Sequence, residues 1–79
     1  MRVKELVISE KINVRKLIEV VEVANQFESE IFIEGESYKI DAKSLMGLLA
    51  TIKRNSAITI IAKGIDEEEA IKKLISLLK

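Results

Sequence analysis

Cysteine, histidine and proline are all missing from this 79-residue chain. Without cysteine there is no disulfide to staple a small fold and no thiolate metal site. With histidine gone as well, no metal site is expected, and the apolar core alone must stabilise the domain. With no proline and no low-complexity segment, nothing marks a linker, so one domain over residues 1–79 is expected. Aromatics are limited to Phe27, Phe32 and Tyr38, too few for a base-stacking platform. No charge dominates: 13 basic residues face 13 acidic ones, which removes the electrostatic reason to expect direct binding to nucleic acid or to an anionic membrane. No apolar run approaches membrane-spanning length, and the first residues lack the apolar core of a signal peptide. The expectation is a soluble cytoplasmic protein. What is present is 48% apolar residues, enough for a two-layer domain.

Arg2 to Ile8 alternates as a strand, with Leu6 and Ile8 on one face and Val7 on the other. Asn13 is a good helix N-cap, and from Val14 to Phe27 the positions Leu17, Val20, Val21 and Ala24 make one helical face. Ile31-Phe32-Ile33 and Tyr38 to Ala42 read as two strands joined by Glu34-Gly35-Glu36-Ser37, where Gly35 offers positive φ. Ser44 caps a short helix reaching about Ile52, and Ile58 to Lys63 is a fourth strand. Asp66 and Glu69 have capping-box spacing ahead of a last helix whose inner face is Ile71, Leu74, Ile75 and Leu78. The order is βαββαβα, an α+β domain with a four-stranded sheet and its three helices on one face. The pattern by itself admits a ferredoxin-like sheet equally well.

Lys43-Ser44-Leu45-Met46-Gly47-Leu48 resembles the K-S-[IL]-M-G-[LV] segment of the HPr family, the histidine-containing phosphocarriers of the bacterial sugar phosphotransferase system. Ala24-Asn25-Gln26-Phe27 is similar to the end of that family's first helix, and Ile60 to Glu67 to its A-x-G-x-D-E exit from the last strand. The resemblance spans nearly the whole chain and implies the HPr-like open-faced β-sandwich.

The family's active loop runs roughly G-[IL]-H-A-R-P, and the matching run here is Lys11-Ile12-Asn13-Val14-Arg15-Lys16. Asn13 stands where the phosphorylated histidine would be. A carboxamide nitrogen has a delocalised lone pair and is a very poor nucleophile, so the catalytic position is empty. Arg15 is either a solvated helix-start residue or, with Lys16, a phosphate or partner contact left from the family loop, and in an HPr-like arrangement it is the expected counter-charge for a phosphate on Ser44. Ser44 is a cap, and the resemblance makes it a regulatory phosphorylation site as well. Leu45, Met46 and Leu49 are either core and rim or a partner-docking patch. Glu67-Glu68-Glu69 reads as a solvated run at a helix start, since no nucleophile–base pair or metal spacing accompanies it.

The nearest description is the histidine-less, Crh-like class of HPr-like proteins, implying a non-enzymatic regulatory or binding protein without a cofactor. Its implied partners are proteins: an HPr-type kinase, a transcriptional regulator or a metabolic enzyme. A degenerate HPr-fold interaction module without phosphorylation is the alternative, with an active phosphocarrier behind it. With the family's strand order, Val7, Ile61 and Phe32 are expected to form an apolar patch on the uncovered sheet face. That patch, or exchange of the first strand, would make the protein a weak homodimer instead of a monomer.

Overall fold

A computed structural model describes residues 1–79. The elements are β1 (Arg2–Val7), α1 (Val14–Ala24), β2 (Glu30–Glu34), β3 (Lys39–Asp41), α2 (Leu45–Thr51), β4 (Ala57–Lys63) and α3 (Glu67–Leu78). The sheet order is β1-β4-β2-β3, and every neighbouring pair is antiparallel. This is the expected βαββαβα arrangement, and the sheet of a ferredoxin-like fold is excluded by the position of β4 between β1 and β2.

Alternation along β2 and β4 builds the core. Ile31, Ile33, Ile58, Ile60 and Ala62 point to one side and are buried with Leu17, Val20 and Ala24 of α1, Leu48 of α2, and Ala70, Ile71, Leu74 and Leu78 of α3. All three helices therefore cover one face of the sheet. Burying a Val, Leu or Ile side chain contributes roughly 1.5–3 kcal/mol, so this one layer supplies most of the favourable free energy in a domain without staples. Ile8 lies just past the end of β1 yet is fully buried, its backbone bonded to Ser56 and Asn55 at 2.8 and 2.9 Å. Asn55 itself takes φ 62°, the left-handed conformation that asparagine tolerates.

On the opposite face the expected patch changes membership. Ile61 stands opposite Val3 on β1 and Phe32 on β2, whereas Val7 stands opposite Ala57. The apolar row is thus Val3–Ile61–Phe32, with Val7 four residues further along β1. Alternation assigns a face but not a register, and Val3 and Val7 share a face. The Lys39 ammonium lies 5.1 Å from the Phe32 ring centroid and caps one end of the row.

Three local expectations are corrected. Helix α1 stops at Ala24, short of Phe27, because the Asn25 side chain folds back and donates to the Val21 carbonyl at 2.8 Å. Gly35 does not adopt positive φ. It is small because the Tyr38 ring occupies the space a Cβ would take. The Tyr38 hydroxyl ends buried without a hydrogen-bond partner, and desolvation pushes its pKa up.

The third correction concerns Asp66, which makes no side-chain cap to α3. Its carboxylate instead accepts from the backbone N–H groups of Glu28 and Ser29 at 2.9 and 3.0 Å and from the buried Ser29 hydroxyl. Glu67 rather than Glu69 reaches back, accepting from the Gly64 N–H at 3.1 Å. Gly64 has φ 156°, and a Cβ there would sit 2.6 Å from the Ser29 Cα, so the turn needs glycine. These bonds tie the entry to β2 to the start of α3.

The Ser29 hydroxyl, then the backbone N–H groups, holds the Asp66 carboxyl below the usual carboxylate range. A carboxylate with a depressed folded pKa stabilises the fold above its unfolded pKa, and that contribution is lost as pH falls through the folded value. The melting-temperature gap between wild type and Asp66→Asn should therefore be widest near neutrality and close as pH falls from about 5 towards 2. Thermal melts across that range check it. A gap independent of pH would show that the Asp66 charge plays no part.

Candidate functional site

Two helix starts hold the residues of interest, and each is built by a short polar side chain. At α1, Asn13 is extended and its Oδ1 accepts from the Lys16 N–H at 2.8 Å, while its carbonyl accepts from Leu17 at 3.1 Å. The carboxamide is thus occupied as a cap, as its sequence position suggests. Arg15 is exposed and joins no ion pair, whereas the Lys16 ammonium lies 3.6 Å from Glu19.

At α2, Ser44 is exposed, and its Oγ accepts from the Gly47 N–H at 3.3 Å. The approach from β3 is shaped by Asp41, whose carboxylate accepts from the Lys43 N–H at 2.8 Å and whose carbonyl accepts from the Ser44 N–H at 3.0 Å. The Lys43 ammonium donates to the Phe27 carbonyl at 2.9 Å, and Asn25 donates to the Lys43 carbonyl at 3.4 Å. The Leu45 and Met46 N–H groups at the helix start have no helical acceptor.

These contacts fix how the two helices lie. Ser44 and Lys43 sit beside Asn25 and Phe27, past the C-terminal end of α1. At the other end, Arg54, just beyond α2, donates through Nε to the Ile12 carbonyl at 3.3 Å. The helices are antiparallel, so Ser44 and Asn13 mark opposite ends of α1, about 16 Å apart along its axis. Arg15, expected as the counter-charge for a phosphate on Ser44, therefore lies towards the opposite end of α1, while the Lys43 ammonium is held on the Phe27 carbonyl at the Ser44 end. Arg54 is the residue that sequence reading missed at the Asn13 loop, because no local pattern links positions 42 residues apart.

Of the expected docking residues, Met46 is 79% exposed and Leu49 44%, while Leu45 is half-buried. Leu48 turns fully into the core, so the short helix divides its apolar residues between core and solvent. Val14 and Ile18, one turn apart on α1, are also exposed. The larger hollow of the molecule, about 970 Å³, lies around Tyr38, Glu34 and Glu36, and no expected site residue lines it. No group of acidic residues is placed to hold a metal ion, and no helix is long and apolar enough to cross a membrane.

Asn13 acting as a cap has a direct consequence. Asn13→Ala should destabilise the protein by about 1 kcal/mol and Asn13→Ser by only a few tenths, read from urea denaturation. Equal losses in both variants would show that the carboxamide serves something other than the cap.

The comparisons with known proteins bear on this geometry. The family model described as the PTS HPr component phosphorylation site matches residues 4–79. The HPr-like protein Crh of Halalkalibacterium halodurans is 48% identical over 60 residues, 75% of this chain and 71% of that protein. The crystal structure of the phosphocarrier protein HPr from Bacillus anthracis superposes with a TM-score of 0.91 at 34% identity, covering 99% of this chain and 96% of the other. That of Bacillus subtilis Crh, a dimer with a swapped domain, gives 0.76 at 36% identity, covering 91% and 82%.

Proposed function

Since this chain belongs to the HPr family of the phosphotransferase system, we propose that it is a regulatory member, switched at Ser44 and unable to carry a phosphoryl group. The observation that carries this reading is the pairing of Asn13 with Ser44. The chain has no histidine, and the residue in the loop position is an asparagine committed to capping. Ser44 is solvent-exposed on a family-like segment beside exposed Met46 and Leu49.

A phosphate on Ser44 would add nearly two negative charges and three acceptor oxygens at a helix start, where the Leu45 and Met46 N–H groups lack partners. The favourable helix-end term is about 0.3–1 kcal/mol. The Lys43 ammonium, now on the Phe27 carbonyl, is the cation within easiest reach. The modification would thus leave the fold intact and place charge beside an adaptable apolar patch. Such a mixed surface suits a protein partner, a transcriptional regulator or a metabolic enzyme, better than direct nucleic-acid binding. Arg15 and Lys16, at the far end of α1, would make a second contact with the same partner instead of neutralising the phosphate.

Incubation with an HPr-type kinase and ATP should give one phosphate per chain, absent in Ser44→Ala. Phosphoenolpyruvate with the phosphotransferase enzyme should give none. Failure of the kinase reaction on folded protein would leave a docking module without a switch. An acid-labile phosphoryl-protein from phosphoenolpyruvate would overturn the regulatory reading altogether.

Self-association is the second reading, favoured by the swapped dimer of Bacillus subtilis Crh. Here β1 is an edge strand with five of six residues exposed, attached mainly through β4. Its exchange between two copies would re-form the same pairings at little cost. Sedimentation at high concentration should reveal a weak dimer that persists in Phe32→Lys. Loss of the dimer in that variant would point to stacking through Val3, Ile61 and Phe32, and a monomer in both would remove self-association.

A further inference from the structure

The loop that lacks the family's histidine differs from the pattern on both sides of that position. Where the family has glycine and proline, this chain has Lys11 and Lys16. Both lysines line one small cleft, about 180 Å³, between the loop before α1 and the end of α3. Lys79 lines it from the other side, Ser9 and Ser76 complete the polar wall, and no acidic residue contributes. The Ser9 N–H donates to the Leu78 carbonyl at 2.8 Å, which holds the two walls together.

The donors in this cleft are largely unspent. Lys11 and Lys79 make no ion pair, and Lys16 has only Glu19 at 3.6 Å. The Ser9 Oγ accepts from the Lys11 N–H at 3.0 Å, which leaves its own O–H free to donate. The Ser76 hydroxyl is already given to the Lys73 carbonyl at 2.8 Å. Three lysines and one carboxylate at its edge leave this lining with an excess of positive charge, which a bound anion would offset. A lining so rich in donors calls for a compact ligand rich in acceptors, and the volume suits one tetrahedral oxyanion headgroup.

We propose that this cleft binds a phosphate-class anion non-covalently, either inorganic phosphate or the phosphoryl group of a small metabolite. The site lies at the end of α1 opposite Ser44 and stands independently of the switch proposed there.

Amide NMR titration of the full chain with inorganic phosphate, at constant ionic strength set by chloride, tests this. Saturable shifts are expected at Ser9 to Leu17 and Ser76 to Lys79, with a dissociation constant on the order of millimolar. Lys11→Gln and Lys16→Gln should each weaken binding about five-fold, and Glu19→Gln, which frees Lys16, should tighten it about two-fold. All three changes are at the surface, and retained spectral dispersion confirms folding. Glycerol 3-phosphate binding more tightly than phosphate would identify a metabolite as the source, and equal affinity would identify the free ion. Shifts that fail to saturate, that centre on Ser44, or that survive both lysine substitutions would overturn the proposal.

Discussion

Everything in this domain hangs on one aliphatic layer between a sheet and three helices. Ile60 and Ala62 on the central strand β4 are fully buried, and Ile31 and Ile33 beside them are nearly or wholly so. With no disulfide to help, helices α1 and α2 keep their relation because each inserts side chains into that layer and a few hydrogen bonds join their ends. Leu17, Val20 and Ala24 anchor α1, and Leu48 alone is fully buried from α2. The position of every candidate functional residue follows from these anchors. A short helix held by one buried leucine necessarily leaves its other apolar residues near solvent, which is why Met46 and Leu49 are exposed.

The same physics accounts for the character of the two ends of α1. Each helix start leaves N–H groups without partners, and a short polar side chain satisfies one of them. Asn13 and Ser44 do this in the same way, but their chemistry differs. A carboxamide offers no nucleophile beyond its cap, whereas a hydroxyl that caps can still be esterified. The antiparallel packing of α1 and α2 separates these positions by a helix length, so a partner covering both would have to span the whole exposed side of the helix pair.

Much of this was legible in advance. Period-two and period-three-to-four patterns identified the elements, with Leu17, Val20 and Ala24 inward as periodicity demands. Asn13 and Ser44 were recognisable as caps because capping is local, decided within three residues. Where local rules competed with distant partners, sequence reading failed. Asp66 had the right residue type and spacing for a box with Glu69, yet its carboxylate serves Glu28 and Ser29, 38 and 37 residues earlier. Gly35 suited a positive-φ turn, but it is the Tyr38 ring that excludes a larger side chain.

The sequence by itself determined the element order, the inward faces, the two capped helix starts and the absence of any imidazole. These depend on residue type and short-range spacing, which a linear chain states directly. Three relations came only with tertiary packing: Val3 and not Val7 faces Ile61, Arg15 and Ser44 lie towards opposite ends of α1, and Lys11, Lys16 and Lys79 share a cleft. Strand register and helix direction are set by the packing of the whole core. A shift of two residues leaves alternation unchanged, and no local energy distinguishes the alternatives until the sheet and helices close on one another.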